Sequence, residues 1–209
     1  MLYRTIALSD LIKKNGKDTA KKVLSDFLCP KNKDVQDFMH YRAYPYEMAG
    51  LAKTYLVVAQ EDDISHGVCA IYAITTKSIT TDPKMPRKDR EIAFGTSYAV
   101  GNPVNAILIG QLSKNYANGN DKYITGELLM SLIMEHVKRM AVLVPSVSVY
   151  VECDDKQPLR DYYQKFGSTF YGINPDGLLQ YIIPTKKFIS PEYKKKHIKQ
   201  ELKKEKVPA

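Results

Sequence analysis

The spacing of apolar positions changes several times along this chain, and each change marks an element. Ala106 to Ile109 is an unbroken apolar run, too short for a helix and rich in strand formers, which predicts a strand buried on both faces. A polar loop rich in Asn and Gly follows, from Ser113 to Lys122. After Thr125-Gly126 the residues Leu128, Leu129, Leu132, Ile133, His136, Val137 and Met140 recur at helical spacing. The run SVSVYVEC, Ser146 to Cys153, predicts the next strand, and PLRDYYQKFGS a further helix. Ser168 to Ile173 and Leu178 to Ile183 then flank Asn174-Pro175-Asp176-Gly177, a strong hairpin turn.

Upstream, Leu2 to Leu8 reads as a strand, and Ser9-Asp10 caps a short helix that Asn15-Gly16 stops. Asp18 starts a second helix with Ala20, Val23, Leu24 and Phe27 on one face, ended by Cys29-Pro30. A third begins near Lys33-Asp34 with Val35, Phe38 and Met39, and Glu47 to Leu51 adds a turn. Tyr41, Tyr44 and Tyr46 cluster around Pro45. Thr54 to Gln60 and Ile64 to Thr75 predict an antiparallel hairpin across Glu61-Asp62-Asp63. From Lys77 to Arg90 the polar, proline-interrupted chain reads as a surface excursion. Ser190-Pro191 opens a highly charged stretch to about Lys206, whose apolar stripe is only Ile198 and Leu202.

Strand, polar loop and a glycine in the first helical turn bring backbone N–H groups and a positive dipole end to one point, which suits a phosphate. The order LIGxL, loop, TGxxLL, helix, strand, LxxYYxxxG resembles the core of the GCN5-related N-acetyltransferases, which bind acetyl-CoA. Thr54 to Val58 followed by Gly67, and Phe38 to Ala43 before it, extend the resemblance over most of residues 25 to 184. It implies an α/β (α+β) fold with a mixed, mostly antiparallel central sheet and helices on both faces. Residues 1–189 would form a single such domain, and 190–209 an extra basic C-terminal helix or tail. The family's usual pyrophosphate loop reads Q/R-x-x-G-x-G/A. Here the matching residues are Asp121 to Gly126, of which only Gly126 fits, so binding would rest on backbone amides.

The resemblance also implies site residues. A backbone N–H on the fourth strand polarises the thioester carbonyl, at Leu112 or Ser113. The pyrophosphate falls to Tyr123, Ile124, Thr125 and Gly126. A Tyr after the fifth strand protonates the departing thiolate, at Tyr163, with the neighbouring Tyr162 expected to pack. The general base is left open; Glu152, at the end of the fifth strand, would relay a proton through water. Tyr41, Tyr44 and Tyr46 would either line the acceptor cleft or pack half-buried. The implied activity is direct acetyl transfer from acetyl-CoA to a primary amine of a small molecule or protein. Toxin-type family members acetylate aminoacyl-tRNA, which makes tRNA a second acceptor class. A non-catalytic binding protein with a degenerate cofactor loop is the alternative, and a homodimer is left open.

Charge and cysteines narrow these readings little. The formal net charge is +8 over 209 residues. The tail after Ile189 holds seven lysines and three glutamates, half of that excess. Both nucleic acid and a polyphosphate cofactor favour positive potential. Cys29, Cys69 and Cys153 are odd in number and far apart, as expected of reduced thiols in a cytoplasmic protein. Cys153 has no His nearby in sequence, and direct transfer needs no nucleophile of its own. No apolar run approaches membrane-span length, and the opening MLYRTIALSDLIKK lacks a signal peptide's apolar stretch. His66 and Cys69 lie three apart without further ligands, so no metal site is expected.

Overall fold

The structure, a computed structural model, describes residues 1–62, 64–96 and 101–189. The expected basic tail, 190–209, lies outside these residues. Among these described residues, seven strands form one mixed, mostly antiparallel sheet in the order β1-β2-β3-β4-β5-β7-β6. They are β1 (Leu2–Ala7), β2 (Lys53–Glu61), β3 (Ile64–Thr80), β4 (Pro103–Lys114), β5 (Ser148–Cys153), β6 (Thr169–Ile173) and β7 (Leu179–Pro184). The packing divides into two compact units. One comprises Met1–Thr75 with Ile109–Glu135, the other Thr76–Leu108 with the described residues from His136 onward.

In the first unit, β1 pairs antiparallel with β2, Leu2 opposite Gln60 and Ala7 opposite Tyr55. The helix α1 (Leu8–Ser25) follows without a loop. The expected stop at Asn15-Gly16 is a break inside this helix: Gly16 takes φ +83, ψ 166, a conformation a side chain makes costly, and the helix resumes at once. Asn32 caps α2 (Lys33–Asp37), its side chain accepting from the amides of Asp34 and Val35. The tyrosine-rich segment after it is helical through Pro45. A π turn, Phe38–Arg42, leads into α3 (Ala43–Ala49), and the Ala43 N–H bonds five residues back to Phe38. That wider turn sets the ladder offset just ahead of Pro45, which has no N–H to contribute. Leu8, Leu24, Phe27, Phe38, Leu56 and Ile71 anchor this unit's core.

The polar loop after β4 is ordered by one carboxamide. Asn115 is buried, and its Oδ1 accepts from the amides of Leu28 (3.1 Å) and Ala117 (3.1 Å). Its Nδ2 donates to the Val68 carbonyl at 2.8 Å, and its own N–H to the Cys69 carbonyl at 2.8 Å. A 3-10 turn, Ala117–Tyr123, follows, with Asn118 and Gly119 at φ +54 and +68. Then α5 (Gly126–Leu143) buries Leu129, Met130, Ile133, Met134, Val137 and Ala141.

In the second unit β7 pairs antiparallel with β5, Val151 opposite Tyr181, and with β6, Phe170 opposite Tyr181. The segment expected to be a solvated excursion is more structured than its polarity implied. β3 continues to Thr80, burying Ile79, and α4 (Arg87–Phe94) buries Ala93 and Phe94. These side chains pack with Ala106, Tyr150 and Ile182. α6 (Gln157–Lys165) follows β5, and a last turn, α7 (Lys186–Ile189), follows β7. No helix among the described residues is long and apolar enough to cross a membrane.

Replacing Asn115 by Ala orphans the Leu28 and Ala117 amides, while the Val68 carbonyl keeps a donor from Asn120 at 3.2 Å. The expected loss is about 2–4 kcal/mol, read from the midpoint of urea unfolding.

Candidate functional site

The fourth-strand and loop residues expected at a cofactor site all lie in the first unit. Leu112 and Ser113 stand near the end of β4. The Ser113 hydroxyl donates to the Lys114 carbonyl at 2.8 Å. Its single proton is thereby used, so the 3.1 Å contact between Cys29 Sγ and Ser113 Oγ is a thiol donating to a hydroxyl. Two contacts fix Tyr123: its carbonyl accepts from the Tyr3 hydroxyl at 2.8 Å, and its ring stacks on His66 with centroids 4.1 Å apart. Lys122 Nζ sits 5.0 Å from the same ring.

Ile124 is extended and buried, delivering the chain to α5. Thr125 is the cap: its Oγ1 accepts from the Leu128 amide at 3.2 Å, and its carbonyl from the Leu129 amide at 3.0 Å. With no Cβ at Gly126, the first turn of an 18-residue helix carries no side chain at its leading position. A capped, dipole-bearing turn with a glycine in front fits an anionic group such as a pyrophosphate.

The two residues expected to handle protons lie in the second unit, on opposite faces of its sheet. Glu152 is opposite Gln180 and one residue out of step with Val151, which is opposite Tyr181. Tyr163 stacks on Tyr181 with centroids 5.7 Å apart, so it covers the Val151 face. Glu152 turns to the other face, with Tyr150. Tyr163 is buried, and Tyr162, half-buried, packs edge-on against the rings of Tyr163 and Phe166. Burial, then the neighbouring Cys153 and Tyr162, push the Tyr163 phenol well above its usual range. It is protonated at any physiological pH.

Glu152 Oε1 accepts from Lys77 Nζ at 2.8 Å, the Tyr150 hydroxyl at 2.9 Å, Asn174 Nδ2 at 3.1 Å and Gln180 Nε2 at 3.4 Å. Burial by itself would raise this carboxyl. The hydrogen bonds from Lys77, Tyr150 and Asn174, with the Lys77 charge, outweigh it and hold the group below its usual range. Lys77 Nζ also lies 4.6 Å from the Tyr150 ring centroid. Neither Lys77 nor Asn174 was legible as a partner. Lys77 stood in a stretch that reads as solvated, and Asn174 reads as a turn residue. It is one: its Oδ1 accepts from the Asp176 and Leu178 amides at 3.0 and 2.9 Å, which leaves Nδ2 for Glu152.

All three cysteines are free and buried, and burial pushes the thiols of Cys69 and Cys153 up to about 11. Such thiols hold their protons at neutral pH and make poor nucleophiles. Among the described residues, no group of three His, Cys, Asp or Glu side chains is placed to hold a metal ion.

No protein-family model matches the chain, and no curated protein matches its sequence. Solved structures do match its fold. A Tyr-to-Phe mutant of KacT is 13% identical over 90% of this chain and 98% of that one, with a TM-score of 0.63. AtaT complexed with acetyl-methionyl-tRNAfMet is 14% identical, covering 88% and 96%, with a TM-score of 0.61. AtaTR bound with AcCoA is 13% identical, covering 89% and 95%, with a TM-score of 0.58. At such identities the likeness establishes the fold. It is the acetyltransferase fold implied by the motifs around Gly126 and Tyr163.

Because Glu152 is depressed in the folded chain, its contribution to stability is complete above the ordinary carboxylate pKa of about 4.3 and lost as pH falls through the lower folded value. Glu152→Gln should therefore flatten the acid limb of stability below about pH 4.3, read as unfolding midpoints against pH.

Proposed function

We propose that this protein is an acetyl-CoA-dependent N-acetyltransferase acting on a primary amine by direct attack. The observation that carries the reading is a fold shared with KacT and AtaT, including an AtaTR structure bound with AcCoA, in a chain whose own loop-to-helix motif fits a pyrophosphate. When bound, acetyl-CoA supplies an activated thioester. The amine nitrogen bonds to the acetyl carbon, the carbon–sulfur bond breaks, the nitrogen loses a proton and the thiolate gains one.

Each residue then has a task. The Tyr123–Gly126 turn binds the pyrophosphate through backbone amides and the positive end of α5. A backbone N–H at Leu112 or Ser113 draws charge onto the carbonyl oxygen. Tyr163, neutral at working pH, donates its phenolic proton or hydrogen bond toward the leaving sulfur. Glu152 is less suited to abstract a proton, because a carboxylate held below its usual pKa is a weak base. It suits holding an ammonium, or a water that carries the proton away.

For the acceptor, AtaT complexed with acetyl-methionyl-tRNAfMet favours the α-amine of an aminoacyl-tRNA over other amines. AtaT is also seen bound to the C-terminus of the antitoxin AtaR, which makes a protein inhibitor a natural partner to look for. The alternative, a binding protein without activity, draws on the loss of the usual loop residues before Gly126.

Titration of the purified protein with acetyl-CoA by calorimetry tests the reading. Binding is expected in the wild type, and Gly126→Val should weaken it at least several-fold by putting a branched side chain where the pyrophosphate approaches. A wild type that does not bind acetyl-CoA returns the chain to the non-catalytic class. Tyr163→Phe keeps the ring on Tyr181 and removes only the hydroxyl. Acetyl-CoA affinity should persist while single-turnover transfer falls ~10²–10⁴-fold. An unchanged rate would make Tyr163 a packing ring.

A further inference from the structure

Tyr123, the first residue of the turn assigned to the pyrophosphate, is gripped by two side chains, one from β1 and one from β3. Tyr3, His66 and Tyr123 all belong to the first unit. The Tyr3 hydroxyl donates to the Tyr123 carbonyl at 2.8 Å. The His66 ring lies on the Tyr123 ring, with centroids 4.1 Å and planes 19° apart. A bulge in β3 stands at this point. Val58 pairs with Val68 and Gln60 with Ser65, so His66 and Gly67 together oppose Ala59 alone. Gly67 takes φ +76, a conformation that a side chain makes costly, and such a bulge re-aims the residue beside it. The His66 Nε2 is buried without a hydrogen-bond partner, and Glu61 Oε2 at 3.9 Å is out of range. What this placement gives the ring is the stack on Tyr123.

We propose that Tyr3 and His66 are positioning residues for cofactor binding: by fixing the carbonyl and the ring of Tyr123, they hold the Tyr123–Gly126 turn in the shape that meets the pyrophosphate. The proposal rests on the acetyl-CoA reading. Of the usual loop residues only Gly126 remains, and the turn follows a 3-10 segment with Asn118 and Gly119 in left-handed backbone. Its far end is already secured, because Ile124 is buried and Thr125 caps α5. Tyr123 is therefore the joint. The hydrogen bond from Tyr3 sets the peptide plane between Tyr123 and Ile124, and the stack sets the side chain. Neither contact alone does both. A turn fixed beforehand loses less conformational entropy when the anion arrives, so both residues raise affinity without touching the ligand.

The test is calorimetric titration with CoA and with dephospho-CoA, which keeps the pyrophosphate but lacks the ribose phosphate. Tyr3→Phe removes only the donated hydroxyl, and His66→Ala only the stacked ring. Each should weaken both ligands roughly 3–10-fold, the size of one such contact. His66→Phe keeps a ring on Tyr123 and drops the unpartnered nitrogen, so wild-type affinity should return. In a Tyr123→Leu background His66→Ala should cost nothing further, because the contact it removes is already gone. Urea midpoints establish that each variant is folded; should His66→Ala not fold, Tyr3→Phe decides. Wild-type affinity in either Tyr3→Phe or folded His66→Ala would overturn the proposal. So would a loss that His66→Phe does not restore, or one confined to CoA, which would point to the ribose phosphate instead. A wild type that binds neither ligand would remove the acetyl-CoA reading itself, and the clamp with it.

Discussion

The order of the first unit's long polar loop depends on the side chain of Asn115. A chain leaving a buried strand must satisfy its backbone groups at once. The carboxamide supplies both missing kinds of partner. It accepts from Leu28 and Ala117 and donates to Val68, joining three segments far apart in sequence. Asn120 repeats the device by donating to the same Val68 carbonyl. Gly67, at φ +76, lies just before that residue, and a Cβ added there would meet Asn120 Nδ2 at 3.6 Å. The 3-10 turn is therefore a braced connection that delivers Tyr123 to Gly126 to the start of α5.

The second unit has its own fixed point, the Glu152 carboxylate. A charge partly withdrawn from water is costly unless donors replace the lost hydration. Four donors converge on a single oxygen, and they come from β3, β5, β7 and the β6–β7 turn. The ion pair with Lys77 gives β3 a reason to run on past Thr75, where its alternation fades. The same anion draws in Asn174 and so ties the shape of the hairpin turn to the strand beside it.

These two devices also explain which parts of the molecule could be read from sequence. The hairpins, the strand at Ala106 to Ile109, the long helix after Thr125 and the Asn174–Gly177 turn follow from periodicity and turn chemistry, which act over a few residues. Gly16 was legible as an interruption for the same reason. The extension of β3 and the helix at Arg87 were not, because polar side chains dominate there. What holds them is Ile79, Ala93 and Phe94 packing with residues near 106, 150 and 182. The helical course through Pro45 was hidden because a π turn has no strong sequence signature. The positions of candidate site residues came from motif order. The Lys77 partner of Glu152 and the bracing of the loop by Asn115 came only from three-dimensional proximity.

Strand alternation adds a constraint on the chemistry that motif order alone does not contain. Glu152 and Tyr163 are separated by the sheet, so no proton passes directly between them, and neither tunes the other as a coupled pair would. Their environments push them apart in the useful sense. One is held as an anion by four donors, and the other is kept neutral by burial. Addition of an amine to a thioester requires a proton to leave at nitrogen and another to arrive at sulfur, two events at different atoms. A phenol raised above its usual pKa is a poor acid toward a free thiolate, whose thiol has a pKa of about 8.5. In the proposed reaction Tyr163 would therefore serve by hydrogen bonding to the charge that develops on sulfur as the bond breaks.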